Sequence, residues 1–100
     1  MRIRVEVTSG ARRGLKRTFE GPRVSVGRHP DCDLQLDPEV DRAASARHAV
    51  FLLAGGRWIV RDVGSRNGTF VDDDPVEGER RLRDGDVVQF GRLGPQARIE

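Results

Sequence analysis

From its second residue the chain alternates, with Ile3, Val5 and Val7 interleaved between Arg2, Arg4 and Glu6. A period of two sends successive side chains to opposite faces, whereas apolar positions on a helix recur every three or four residues. The opening segment is therefore expected to be a strand with one buried face and one wet face. The alternation returns at Asp33-Leu34-Gln35-Leu36, and no stretch carries the pattern of an amphipathic helix. Ala49 to Ala54 is a continuous apolar run that periodicity alone cannot assign to strand or helix. Its flanks decide the matter. Gly55-Gly56 is a two-residue hairpin signal, and Arg57-Trp58-Ile59-Val60-Arg61 beyond it is rich in β-branched and aromatic residues.

Further short strands are expected at Leu15 to Glu20, Arg23 to Val26, Thr69 to Val71, Asp86 to Phe90 and around Ala97 to Ile99. They are separated by turn formers such as Gly21-Pro22, Asp72-Asp73, Asp84-Gly85 and Gly94-Pro95. Asp37 to Ala44 reads as an acidic loop. About ten short strands at near-regular spacing point to an all-β sandwich or barrel with almost no helix. At 100 residues the chain is expected to form one domain over residues 1–100, burying roughly two-thirds of its unfolded surface. It shows no internal repeat and no linker. The lone Cys32 excludes a disulfide framework within one chain. No apolar stretch approaches the roughly 18 residues of a membrane span, and no signal peptide precedes the first strand, so a cytoplasmic protein is expected.

The 18 basic and 16 acidic residues are unevenly placed. Residues 1 to 28 carry eight basic and two acidic groups, a sum of +6, and the remainder carries ten and fourteen, a sum of −4. Either the first quarter meets an anionic partner, or its arginines are solvated groups on strand faces. The net charge of +2 is small for a nucleic-acid binder, and the segment lacks aromatics on which bases would stack, so no nucleic-acid partner is expected.

Four features carry candidate chemistry. Gly27-Arg28 closes a strand, and the planar fork of Arg28 suits a phosphate or carboxylate. Ser45-Ala46-Arg47-His48 brings a serine near a histidine, but residues three apart on an extended chain face opposite ways and no nucleophile elbow is present. His48 reads as a structural histidine whose two ring nitrogens tie adjacent loops. Ser65-Arg66-Asn67-Gly68-Thr69 is a turn in which the Asn67 amide, a donor and an acceptor at once, suits the main chain of an extended peptide. Asp72-Asp73-Asp74 reads as a solvated hairpin tip. His29, Cys32 and His48 match no zinc spacing, and neither a metal nor a cofactor is expected.

The ordered series V-G-R, D-L-Q-L, S-A-R-H-A, W-I-V-R-D-V-G-S-R-N-G-T-F-V and L-R-D-G-D-V-V-Q-F-G resembles the forkhead-associated (FHA) domain family over residues 24–91. The resemblance implies an antiparallel β-sandwich of two twisted sheets with about eleven strands, of the FHA/SMAD-like type, whose end loops form the binding site. It implies a phosphothreonine-dependent interaction module, with no enzymatic activity, that meets a phosphorylated partner protein such as a Ser/Thr kinase or its substrate. On this chain Arg28 matches the arginine that pairs with phosphate, Ser45 the serine whose hydroxyl donates to it, and Asn67 the asparagine that holds the ligand main chain. Gly27, His48 and Gly68 match positions that shape and brace the loops.

Departures from the pattern bear on specificity. Ala46 stands where a basic or polar residue often adds a phosphate contact, and Arg66, just before Asn67, is the candidate replacement. Ala43 stands where the family often reads the third residue after the phosphothreonine, and a small residue there implies no charge preference at that position. Asp37, Glu39 and Asp41 in the lengthened loop are expected to repel acidic ligands and favour basic flanks. A phospho-independent interaction or oligomerisation module on the same fold, using a sheet face and the basic strands from Arg2 to Arg17, is the alternative, with Arg12, Arg13, Lys16 and Arg17 as the positions whose charge reversal would break it. A phosphatase would need a base, metal or nucleophile facing the phosphate, and no residue fills that role.

Overall fold

The computed structural model describes residues 1–100 and contains eleven strands and no helix. In chain order they are β1 (Arg2–Val7), β2 (Lys16–Glu20), β3 (Arg23–Gly27), β4 (Leu34–Gln35), β5 (Ala49–Ala54), β6 (Arg57–Asp62), β7 (Thr69–Val71), β8 (Asp74–Pro75), β9 (Glu79–Arg81), β10 (Val87–Phe90) and β11 (Gln96–Ile99). They form a six-stranded sheet ordered β2-β1-β11-β10-β7-β8 and a five-stranded sheet ordered β4-β3-β5-β6-β9. The all-β sandwich expected from the period-two pattern is the fold observed. No helix is long and apolar enough to cross a membrane.

The alternation of β1 explains its place. Ile3, Val5 and Val7 are each 1% exposed and join the core shared by the two sheets. The opposite face meets water and pairs across strands, Arg98 with Glu6 at 2.6 Å and Arg4 with Glu100 at 3.8 Å. Exposed pairs of this kind contribute about 0–1 kcal/mol each. Arg2 and Arg4 are thus solvated strand-face residues with carboxylates close by. Arg12, Arg13, Lys16 and Arg17 have no carboxylate within ion-pair distance.

The apolar run Ala49 to Ala54 is β5, joined to β6 by a turn in which Gly55 and Gly56 have φ of 57° and 75°. Two successive left-handed residues match the twist of a tight hairpin, and glycine adopts them without Cβ strain. Asp72 and Asp73 make the corresponding turn between β7 and β8 with φ of 49° and 71°. Two elements lie outside the sequence expectation. The bridges β8 and β9 carry no period-two hydrophobic pattern, and both are edge strands held by register with β7 and β6. One pairing is parallel, Val26 to Leu34 and Gly27 to Gln35. Asp33 accounts for it: its carboxylate accepts from the Ser25 N–H at 2.8 Å and Ser25 Oγ at 3.1 Å, so the chain loops back before running beside β3.

Phe51 from one sheet and Phe90 from the other are fully buried, with ring centroids 6.4 Å apart. Truncating such a ring removes transfer energy and leaves a cavity. Phe51→Ala is expected to destabilise the fold by about 3–5 kcal/mol, a large part of the roughly 5–15 kcal/mol of a small domain. The check is a lower urea midpoint at unchanged slope. A loss below about 1 kcal/mol would contradict a shared core centred on these rings.

Candidate functional site

The loops after β3, before β5 and after β6, together with the turn between β10 and β11, meet at one end of the sandwich. His48 draws them together. It is fully buried, its Nδ1 accepts from the Ser45 backbone N–H at 2.9 Å, and its Nε2 lies 2.8 Å from the Gly68 carbonyl. Since an N–H can donate only to a lone pair, Nδ1 is the bare nitrogen, and Nε2 carries the proton and donates to Gly68. The ring edge rests on Phe90 at 5.6 Å. Burial pushes the imidazole below its ordinary 6.5, against the opposing effects of the Gly68 carbonyl and the Asp62 charge, so the ring is neutral.

Residues 45–48 depart from the extended stretch that the sequence suggests. They are bent, not extended, and the Ser45 main chain folds back onto the imidazole. A Ser–His dyad is nevertheless not formed, because both ring nitrogens are engaged by backbone groups. Ser45 Oγ instead accepts from the Arg66 backbone N–H at 3.0 Å, which leaves its own hydrogen free to donate.

Arg28 is held by its backbone and by two sides of its guanidinium. Its N–H donates to the Ser45 carbonyl at 3.1 Å, Nε to the Ala44 carbonyl at 2.7 Å and Nη1 to the Pro38 carbonyl at 2.9 Å. Its Nη2 has no protein partner, and no carboxylate pairs with it. Gly27 permits this placement, since a Cβ there would run into the Ala46 carbonyl. Asn67 donates from Nδ2 to the Ala43 carbonyl at 2.9 Å, which fixes the amide plane and leaves Oδ1 and the second N–H hydrogen available.

These residues surround a polar depression of about 220 Å³ lined by Arg28, Arg42, Ala43, Ser45, Arg66 and Asn67, with Ala44 and Ala46 completing its wall. The structure thus gathers Arg28, Ser45, Arg66, Asn67, Ala43 and Ala46 in one place, with Gly27, His48 and Gly68 behind them. Asp41 is the exception. It is 6% exposed, and its carboxylate turns inward to accept from the Ala11 N–H at 3.1 Å and the Asp37 N–H at 3.2 Å. It braces the loop and does not face the depression. Asp37 similarly accepts from the Glu39 and Val40 N–H groups, and those bonds hold its carboxyl below the usual value.

Two contributors escaped the sequence reading. Arg42, tethered by Nε to the Glu39 carbonyl at 3.1 Å, lines the depression, and only the fold of an irregular loop puts it there. Asp62 lies behind Asn67 and accepts from the Gly64 and Ser65 N–H groups and from the Ser65 and Thr69 hydroxyls. Burial raises its pKa, but these hydrogen bonds outweigh burial and hold it below 3.8. The D-V-G-S-x-N-G-T spacing was the available signal, since Asx and Ser turns bond N–H groups two or three residues on. No three His, Cys, Asp or Glu side chains converge as a metal site would require.

The fold and its end loops define a β-sandwich recognition domain with a cationic, donor-rich depression. The chain belongs to the FHA domain family, whose model matches residues 24–91. It is 45% identical over 87 residues to the glycogen accumulation regulator GarA of Mycolicibacterium smegmatis, covering 87% of this chain and 52% of that one. It is 39% identical over 97 residues to the oxoglutarate dehydrogenase inhibitor of Corynebacterium diphtheriae, covering 91% and 65%. A solved FHA domain, studied for phosphothreonine-dependent FHA domain interactions, superposes with a TM-score of 0.84 at 27% identity over 100% of this chain and 96% of that one. The chain spans about half the length of the GarA relatives it matches.

The neutral, buried His48 has a signature in stability. Its folded pKa lies below the unfolded value of 6.5, so the unfolded chain takes up a proton first as pH falls. Stability is expected to be full above pH 6.5 and to decline below it until the folded pKa is reached. Asp62 adds a separate loss below pH 3.8, as its folded carboxyl becomes protonated. Urea titrations between pH 8 and 3 are the check, and His48→Gln should flatten the upper window alone. An unchanged upper window in that variant would refute the assignment.

Proposed function

We propose that residues 1–100 form one FHA-type recognition unit that binds a phosphothreonine in an extended segment of a partner protein, itself a Ser/Thr kinase or a kinase substrate. The observation that carries this reading is the convergence of the unpartnered Arg28 Nη2, the free Ser45 hydroxyl hydrogen and the Arg66 side chain beside a fixed Asn67 amide. A phosphothreonine brings about −1.5 to −2 charges and three strong acceptor oxygens. Arg28, Ser45 and Arg66 supply donors for them without leaving an unpaired charge in the site. Asn67 presents one acceptor and one donor hydrogen, as the main chain of an extended ligand requires.

The same residues argue for binding without turnover. The Ser45 oxygen already accepts a hydrogen bond and His48 has no free nitrogen, so neither an activated nucleophile nor a base faces the anion. Relatives named a regulator and an inhibitor suit a module that acts by capture.

Calorimetry with a phosphothreonine peptide and its unphosphorylated twin is the test. The phosphorylated form alone should bind, and affinity should fall as pH drops through about 6, where the second phosphate ionisation is lost. Arg28→Ala removes a charge-assisted hydrogen bond worth roughly 1.5–3 kcal/mol, a weakening of at least tenfold. Equal binding of the twins would refute the reading and favour the phospho-independent surface around Arg12, Arg13, Lys16 and Arg17.

A further inference from the structure

The cations at this end of the molecule exceed what one phosphate needs. Arg28, Arg42 and Arg66 all line the depression, and none has a carboxylate within ion-pair distance. Elsewhere on the surface some arginines find partners, Arg61 2.7 Å from Glu79, Arg98 2.6 Å from Glu6 and Arg47 3.7 Å from Asp31, and others such as Arg12, Arg13 and Arg17 do not. What sets this end apart is that three unpaired guanidinium groups line one depression. Three guanidinium groups bring a formal charge of +3 against the −2, at most, of one phosphate monoester.

Arg42 stands apart from the other two. Its Nε is anchored to the Glu39 carbonyl, so both Nη groups extend from the rim of the loop. It also forms part of the wall of a second depression of about 240 Å³, which Asp41 and Ala43 share with it and which continues towards Val40 and Leu93. Two of the three acidic groups of that loop are turned to other tasks. Asp41 and Asp37 accept backbone N–H bonds, and the exposed Glu39 carboxylate makes no ion pair.

We propose that Arg42 is a specificity-determining residue that receives a second anionic side chain of the ligand, a carboxylate or a second phosphate, placed near the phosphothreonine. This rests on the phosphothreonine reading above. It reverses the flanking preference expected from the sequence: the acidic loop favours an acidic flank, because Asp37 and Asp41 are engaged by backbone N–H groups and Arg42 is left facing the ligand. A carboxylate reaching Arg42 gains a bidentate, charge-assisted contact at a rim that stays hydrated. A phosphate, with more charge and one more oxygen, gains more.

The experiment is a calorimetric scan of the 100-residue protein. A phosphothreonine peptide flanked by alanines is compared with a set carrying one glutamate at each position within four residues, and with one carrying phosphoserine at the best position. Unphosphorylated twins of all peptides are included. At one position glutamate should tighten binding about two- to fivefold, the range of an exposed ion pair, and phosphoserine should tighten it further. In Arg42→Ala the ratio between acidic-flanked and plain peptides should fall to about one, while in Arg66→Ala it should persist. A flat glutamate and phosphoserine scan would overturn the proposal. So would a ratio that survives Arg42→Ala with both affinities lowered alike, since Arg42 would then serve the first phosphate. A gain from phosphoserine alone would restrict the second anion to phosphate, and equal gains would assign it to charge of either source. Binding of the unphosphorylated twins as tightly as their phosphorylated forms marks failure of the phosphothreonine reading itself, a result separable from a flat scan.

Discussion

The site depends on one neutral imidazole. His48 leads into β5 of the five-stranded sheet, and Gly68 leads into β7 of the six-stranded sheet, so the bond from Nε2 to the Gly68 carbonyl ties together loops from opposite halves of the sandwich. On its other side the ring receives the Ser45 N–H, and its edge leans on Phe90 in the core. A protonated ring could not accept from Ser45. Burial, which disfavours the charged form, is thus what keeps the connection intact: the physics that builds the core also sets the tautomer that positions the loops.

A second tie crosses the same gap. Asp62 ends β6 of the five-stranded sheet, and Thr69 opens β7 of the six-stranded one; the Asp62 carboxylate joins them and gathers Gly64 and Ser65 between. Ser65 Oγ then receives the Gly68 N–H at 2.9 Å, and the Asn67 carbonyl receives the Arg92 N–H at 3.2 Å. The Asn67 loop is thus held by hydrogen bonds of its own and by others to neighbouring elements. Loops fixed in this way lose little further freedom when a ligand arrives, so more of the contact energy remains as affinity. A partly satisfied network of buried polar groups would have the opposite effect, because each orphaned group would favour a rearranged loop.

How far this was legible in the sequence follows from what each feature depends on. The strands with alternating or flanked apolar runs, such as β1, β5 and β6, carry their own signal because burial selects the residue type at every second position. The glycine and Asp-Asp turns are legible for a similar reason, since left-handed backbone admits few residues. Bridges such as β8 and β9 exist because a neighbouring strand offers hydrogen bonds, and nothing in their own side chains records that. The site divides along the same line. Arg28, Ser45, His48 and Asn67 stand in ordered motifs, so their spacing betrays them. Arg42 belongs to an irregular loop whose path no periodicity encodes, and the inward turn of Asp41 is set by N–H groups on Ala11 and Asp37 that only the folded chain brings near.

Charge shows most clearly why residue counts mislead. Asp37 and Asp41 sit in the loop beside the depression, and counted as point charges they would cancel two of the arginines there. Each instead accepts two backbone N–H bonds. Such a carboxylate keeps its formal charge but directs lone pairs onto peptide dipoles, those of its own loop for Asp37 and those of Asp37 and of the β1–β2 turn for Asp41. The guanidinium groups of Arg28 and Arg42 are oriented by the complementary device, since backbone carbonyls hold Nε of both and Nη1 of Arg28 and leave the remaining N–H groups outward. Within one loop the main chain thereby sorts acid from base, engaging the Asp37 and Asp41 carboxylates and leaving the Arg42 guanidinium outward, with Glu39 alone among the acids still free. A chain with a net charge of only +2 can therefore present a locally cationic recognition surface without the self-repulsion that a strongly basic composition would bring.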